Sequence, residues 1–136
     1  MKAVVDTNVF ISSFLNPKGT PRKVISLWKT GELIICLSAE ILEEYIEVLI
    51  RMGLKDEPET GELLELFRKR INIDFVAIDQ DIKLIASDPD DDKFIECAVN
   101  AGAEVIITGD RHLKDLKQYK GIDILSPAEF IDFWQR

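Results

Sequence analysis

The fold is decided by residues 2–8, KAVVDTN, close to the start of the chain. An apolar run that ends in an acid predicts a first strand that finishes at Asp6. A short apolar helix is predicted to follow over residues 9–15, and the turn 16–19 ends it. The same order, an apolar run and then a helical pattern, recurs along the chain. It predicts an α/β protein with a central parallel sheet and helices on both faces.

The other elements follow from the same patterns. Further strands are predicted at residues 33–37, 73–78, 104–107 and 122–125, which makes about five strands with the first. Helices are predicted at residues 20–30, 38–52, 60–70 and 92–100, just after Asp110, and from Ser126 to Trp134. The chain has 136 residues and no repeat or long linker, so one domain over residues 1–136 is expected.

Net charge, the length of the apolar runs and the cysteine content restrict the kinds of protein that this chain can be. The net charge is 17 − 25 = −8, which argues against a general nucleic-acid coat protein but permits a cluster of carboxylates that hold metal ions. No apolar run approaches the roughly 20 residues of a membrane helix, and no signal peptide is recognised, so a cytoplasmic protein is expected. Cys36 and Cys97 stand in apolar runs, which favours two buried thiols over a disulfide or a zinc site.

Two acids are predicted at the carboxyl ends of strands. Asp6 ends the first strand and Asp110 follows the fourth, so in a parallel sheet both lie at the same edge, where ligands bind. Either acid alone could be only a cap for the next helix. A third candidate is Glu44, which lies about 40° from Val48 at the border of the apolar face of its helix. A solvated helix edge is the alternative for Glu44.

Residues 88–92, DPDDD, add four acids to this set. They are not a calcium loop, because Lys93 and Val99 stand where that loop needs Gly and Glu. Helix capping uses one aspartate and not four. Like charges packed beside a strand edge repel one another, and a metal ion would relieve that repulsion. Helical phase alone does not decide between Asp91 and Asp92 as the acid that faces the site.

Other chemistries lack their motifs. The sequence contains no Walker loop, no Gly-x-Gly-x-x-Gly and no His-Glu-x-x-His. His112 is the only histidine, so a catalytic triad would depend on it alone. The densest basic patch beside a candidate acid comprises Arg111, His112, Lys114 and Lys117. These residues could contact RNA, or they could form a solvated helix face.

Four segments, in order, resemble the motifs of the PIN-domain family. They are residues 4–9, VVDTNV; residues 38–45, SAEILEEY; residues 88–95, DPDDDKFI; and residues 106–110, IITGD. The resemblance covers nearly the whole chain and implies a single PIN-like domain. Carried over position by position, it implies metal ligands at Asp6, Glu44, Asp92 and Asp110. Asp92 is preferred to Asp91 because Phe94 and Ile95 match the family's apolar pair.

The resemblance also implies an activity. It predicts a Mg²⁺- or Mn²⁺-dependent ribonuclease whose four carboxylates are catalytic, supported by Thr7, Asn8 and Thr108. Such proteins are often toxins that pair with an antitoxin protein, and homodimers are common among them. The alternatives are a PIN-fold interaction module without catalysis and a magnesium-dependent phosphatase. The phosphatase would want a second aspartate at position 8, where this sequence has Asn8.

Overall fold

The computed structural model describes residues 1–79 and 89–136. The strands are β1 (Lys2–Val5), β2 (Ile34–Leu37), β3 (Ile73–Phe75), β4 (Val105–Ile107), β5 (Gln118–Tyr119) and β6 (Ile122–Leu125). The helices are α1 (Thr7–Leu15), α2 (Thr20–Lys29), α3 (Ala39–Arg51), α4 (Pro58–Arg68), α5 (Asp92–Ala101), α6 (Arg111–Lys114) and α7 (Pro127–Trp134). A short 3-10 turn, Pro89–Asp91, leads directly into α5.

The sheet is parallel apart from one edge strand. Its order is β3-β2-β1-β4-β6-β5, and every pairing is parallel except that of β5 with β6. Side chains of a strand point alternately to the two faces, and Ala3, Val4 and Val5 of β1 are all fully buried. Both faces of the sheet centre are therefore covered, and the predicted α/β architecture is confirmed.

The prediction of about five strands missed β5. This strand has two residues, too few to form an apolar pattern, and it pairs with β6 through a hairpin. Lys120 and Gly121 form the connection, and their φ angles are 49° and 82°. A two-residue hairpin turn with both φ values positive suits the twist of adjacent strands, and Gly121 is the signal that could have revealed it.

Several predicted boundaries are shifted. α1 begins at Thr7 and not at residue 9, because Asp6 already caps the helix. α4 begins at Pro58, two residues before its predicted start, since proline is well suited to the first helical position. β3 ends at Phe75, whereas residues 76–78 of the predicted strand lie outside it.

Aromatic rings fill the core between the helices and the sheet. The rings of Phe10 and Tyr45 stack with centroids 4.4 Å apart, and those of Trp28 and Phe67 with centroids 5.2 Å apart. Cys36 and Cys97 are buried free thiols, as the apolar runs around them predict. Burial raises the pKa of Cys36 to about 12, so this thiol stays protonated at neutral pH. Among the described residues, no helix is long and apolar enough to cross a membrane.

Candidate active site

Asp6 is placed at the carboxyl edge of the sheet by β1. Its amide donates to the carbonyl of Ile107 on the neighbouring strand at 3.0 Å, which continues the strand pairing up to the acid. The side chain is almost fully buried. Its Oδ2 accepts a hydrogen bond from the Thr108 hydroxyl at 2.6 Å, and its Oδ1 accepts one from the amide of Asn8 at 3.3 Å.

The pKa of Asp6 is raised above its ordinary value, chiefly because burial disfavours the charged form. The hydrogen bonds from Thr108 and Asn8 act in the opposite direction. The negative charges of Asp110 and Glu44 raise the pKa further. Two other predicted site acids, far from Asp6 in sequence, are therefore close enough to act electrostatically on its carboxylate.

Asp110 stands beside Asp6 because β4 is the neighbour of β1 in the sheet. Its Oδ1 accepts hydrogen bonds from the amides of His112 at 2.7 Å and Leu113 at 3.3 Å, so it caps α6. Its own amide donates to the Thr108 hydroxyl oxygen at 2.9 Å. Thr108 is fully buried and thus links the two acids through one hydroxyl.

Glu44 reaches the site from α3, whose orientation is set by the next residue. The Tyr45 side chain is fully buried, and its hydroxyl donates to the carbonyl of Val5 at the end of β1. With Tyr45 turned to the core, Glu44 is partly buried, while Glu40, Glu43 and Glu47 are exposed, as the helical phase predicts. Its Oε2 accepts a hydrogen bond from the Thr7 hydroxyl.

The other oxygen of Glu44 is held by a lysine. Lys93 Nζ lies 2.6 Å from Glu44 Oε1, and only 12% of the lysine side chain is exposed. Burial acts to lower the pKa of Lys93, but the hydrogen bond and charge of Glu44 outweigh it, so this pKa is raised overall. Lys93 is therefore a charged ammonium at neutral pH.

These acids surround one small cavity, of about 220 Å³. Its described lining consists of Asp6, Thr7, Asn8, Glu44, Val48, Arg51, Asp90, Asp91, Phe94 and Asp110. Asp92 is buried at the first position of α5 but is not among these lining residues, whereas Asp91 is buried and lines the cavity. Asp91 also presents a buried carboxylate oxygen, Oδ2. Asp88, the first acid of the acidic run, lies outside the described residues.

The cavity thus brings together Asp6, Glu44 and Asp110 from the predicted set, and of the two neighbouring candidates Asp91 lines it and Asp92 does not. Thr7 and Asn8 also line the cavity, and Thr108 lies directly behind Asp6.

The donor chemistry suits a hard divalent cation. Mg²⁺ and Mn²⁺ prefer carboxylate oxygens, and a cation offsets the mutual repulsion that raises the pKa of Asp6. Among residues 1–79 and 89–136, no three His, Cys, Asp or Glu side chains are arranged so that they could hold an ion together as they stand. In this arrangement Thr108 holds Asp6, while Thr7 and Lys93 hold Glu44.

Two basic residues at the site were not predicted from the sequence. Arg51 lines the cavity and lies seven residues after Glu44, which puts it two helical turns further along the same side of α3. Lys93 follows directly on the acidic run. The helical spacing of Arg51 was a usable signal, whereas nothing in the pattern around Lys93 indicated its ion pair with Glu44.

The predicted basic patch lies on and beside α6. Arg111, His112 and Lys117 are exposed. Lys114 is partly buried and forms an ion pair with Glu129 at 2.8 Å. None of the four is among the described residues that line the acidic cavity, so any contact they make with a ligand lies at its border.

The protein is an α/β protein whose mostly parallel sheet carries an acidic site at its carboxyl edge. A family model described as the PIN domain matches residues 2–112, and the chain belongs to this family. It is also 30% identical, over 148 aligned positions, to an uncharacterised protein of Methanocaldococcus jannaschii. That alignment covers all of this chain and 93% of the relative. The PIN domain is a nuclease-type fold, so the family places the chain among hydrolase-type folds.

Proposed function

We propose that this chain is a metal-dependent endoribonuclease that hydrolyses phosphodiester bonds of RNA in the cytoplasm. The observation that carries the proposal is the convergence of Asp6, Glu44, Asp91 and Asp110 on one small cavity at the carboxyl edge of the sheet. These residues come from four separate parts of the chain. Helix capping explains Asp6 and Asp110 individually, but it does not explain why Glu44 and Asp91 face the same space.

Asp6, Asp91 and Asp110 would hold the divalent ion, Mg²⁺ or Mn²⁺, and Glu44 would complete the set. Asp91 replaces Asp92 in this assignment because it lines the cavity. When bound, such an ion acts as a Lewis acid and lowers the pKa of a coordinated water molecule. Thr108 orients Asp6 and fixes the loop that carries Asp110, so both carboxylates are positioned before substrate arrives.

The chain's own residues supply the remaining requirements of hydrolysis. No Ser-His or Cys-His pair lines the described cavity, so the attacking group is water and not a side chain. A carboxylate of the cluster can accept the proton that this water loses. Arg51 at one side of the cavity, and Arg111 beside Asp110 at its border, can contact the phosphates that flank the reacting one.

The proposal extends to a toxin role, with an antitoxin protein as partner and a homodimer as the assembly. Its support is the family resemblance across the four motifs, together with the family membership of the chain. The exposed residues Arg111, His112 and Lys117, with Lys114, remain the proposed RNA-contacting patch outside the cavity.

The direct test is an RNA-cleavage assay on the purified chain. We expect cleavage of single-stranded RNA with Mg²⁺ or Mn²⁺ and none with EDTA. Asp110→Asn should abolish cleavage, since it removes a ligand charge but can still cap α6. Asp123→Asn is the matched control, because Asp123 is an exposed acid on β6 that does not line the cavity. Undiminished cleavage in EDTA, or full activity of Asp110→Asn, would reject the proposal.

A further inference from the structure

Both carboxylate oxygens of Glu44 are engaged. Oε2 accepts the Thr7 hydroxyl, which is neutral, and Oε1 is paired at 2.6 Å with the Lys93 ammonium, which is charged. A metal ion that used Oε1 would compete with the Lys93 ammonium for that oxygen, whereas the Thr7 donor carries no charge. The ion pair is therefore the contact at Glu44 that opposes a second cation.

The charge of Lys93 is stabilised by more than one acid. Glu40 and Asp90 also act on its charge, and the ammonium lies 5.8 Å from the centre of the Phe94 ring. Together with Glu40, Glu43 and Glu47, Lys93 lines a second cavity, of about 500 Å³, on the outer side of Glu44. Glu44 is the residue that lines both this second cavity and the acidic cavity.

We propose that Lys93 is a positioning residue that competes with the divalent cation for Glu44, and so sets how tightly the acidic cavity holds the ion. The inference rests on the proposed function, because it takes the cavity to be a metal site. Without the ion, Lys93 neutralises Glu44 and limits the repulsion among the acids. An ion that takes Oε1 displaces Lys93, and the free energy of that ion pair then reduces the free energy of metal binding.

A purely structural role for Lys93 predicts the opposite sign. If the lysine only held Glu44 in the correct orientation, its removal would let the carboxylate move and would weaken metal binding. If Lys93 competes, its removal frees Oε1 and also removes a positive charge near the incoming cation. Both consequences of competition strengthen metal binding. The direction of the change in Mn²⁺ affinity therefore separates the two roles.

The experiment is a calorimetric titration of the full metal-free chain with Mn²⁺ at fixed ionic strength. For Lys93→Gln, we expect the Kd for Mn²⁺ to fall by about two- to tenfold, the lower part of the range of coupling between contacting residues. Lys93→Arg keeps the charge and should stay close to the parent. Lys93→Met serves as a second neutral variant that keeps the contact with Phe94, and melting curves in EDTA establish that each variant is folded.

Two controls isolate the contact with Glu44. In a Glu44→Gln background, Lys93→Gln should no longer tighten Mn²⁺ binding to the same extent, because the competition runs through that carboxylate. Lys29→Gln is the matched charge control, since Lys29 pairs with Glu62 at 3.3 Å and neither residue lines the acidic cavity. It should leave the Kd unchanged.

The outcomes separate this inference from the proposed function. If the parent binds Mn²⁺ but the neutral variants bind it equally or more weakly, the competition is rejected and the proposed function stands. An equal gain in the Glu44→Gln background also rejects it. If the parent binds no Mn²⁺ at all, both the proposed function and the role of Lys93 are wrong.

Discussion

Asp91 and Asp92 are neighbours at the start of α5, and both side chains are buried. Only Asp91 lines the acidic cavity, and its side chain makes no capping hydrogen bond to the helix. Asp92 stands in the first turn of α5, where a negative charge interacts favourably with the helix dipole. The two acids should therefore respond differently to a metal ion.

Alanine substitutions at these two positions should give contrasting stabilities. In EDTA, Asp91→Ala should lower the free energy of unfolding less than it does in Mn²⁺, because it removes one of several mutually repelling acids. At a hundredfold excess of Mn²⁺ over its Kd, the parent should gain about 2.7 kcal/mol, and Asp91→Ala much less. Asp92→Ala should keep that gain and lose about 1–2 kcal/mol in both conditions, since Asp92 is buried beside the helix N-terminus. Urea unfolding with EDTA and with Mn²⁺ measures both, and an equal loss for Asp91→Ala in the two conditions would exclude it as a ligand.

Asp6 makes stability depend on pH in the metal-free protein. Its folded-state pKa is raised above the ordinary value of 3.8, so the folded state binds its proton more tightly than the unfolded chain does. The pH dependence of stability follows from this difference. Below the unfolded-state pKa, Asp6 is protonated in both states and does not lower the free energy of unfolding. As pH rises from about 4 through the folded-state pKa, the free energy of unfolding decreases.

Asp6→Asn removes this titration and keeps a side chain that can cap α1. In EDTA, the free energy of unfolding of the variant relative to the parent should rise as pH increases through that window. Asp123→Asn, which changes an exposed acid, should show no such trend. Chemical unfolding at a series of pH values tests the prediction. A difference between Asp6→Asn and the parent that is constant with pH would show that Asp6 titrates normally.

Helix α3 is the element that brings Glu44 to the strand ends, and its rotation is set by Tyr45. The Tyr45 ring stacks on Phe10 of α1, and the hydroxyl donates to the carbonyl of Val5. Burial raises the pKa of Tyr45 well above its ordinary range, so the hydroxyl remains a donor at every pH of interest. The hydrogen bond ties α3 to the last residue of β1, one position before Asp6.

Tyr45→Phe should lower the free energy of unfolding by about 1–3 kcal/mol, because a buried carbonyl loses a hydrogen-bond donor. RNA cleavage should fall as well, since Glu44 follows the position of α3. Tyr119→Phe is the control, because the Tyr119 side chain is only partly buried at the sheet edge. Urea unfolding and the cleavage assay give the two readouts. Unchanged stability of Tyr45→Phe would mean that apolar packing alone sets the rotation of α3.

Helices and strands that carry a regular apolar pattern could be predicted from the sequence. The five parallel strands and α3 follow from such patterns, and so does the partial burial of Glu44. β5 was missed because its pairing depends on a turn and not on its own two residues. The preference for Asp92 came from matching Phe94 and Ile95, whereas Asp91, the last residue of the 3-10 turn, is the one that lines the cavity. Helical phase did not separate these two neighbouring acids.

Whole-molecule electrostatics work against the proposed substrate. The chain carries a net charge of −8, and its acids are concentrated where the reacting phosphate would bind. A polyanion is therefore held only where local basic residues outweigh this charge. Arg51 lies on the cavity wall, and Arg111 follows Asp110 in α6, so these two are the candidates for contact with the RNA backbone. These two arginines should account for much of the salt dependence of RNA binding.

Single substitutions can measure their contributions. Arg51→Ala and Arg111→Ala should each reduce the slope of log affinity against log salt by about 0.7–1, the effect of one lost phosphate contact. Lys23→Ala is the matched control, because Lys23 is exposed on α2 and does not line the acidic cavity. Its removal changes the net charge equally but should leave the slope unchanged. Binding is measured in EDTA, where the proposed enzyme does not cleave, with a single-stranded RNA oligonucleotide at several salt concentrations. Equal slopes of log affinity against log salt for all three variants would mean that RNA binding depends only on the total charge of the protein. A lower slope for the two arginine variants alone would place the RNA backbone across the acidic cavity.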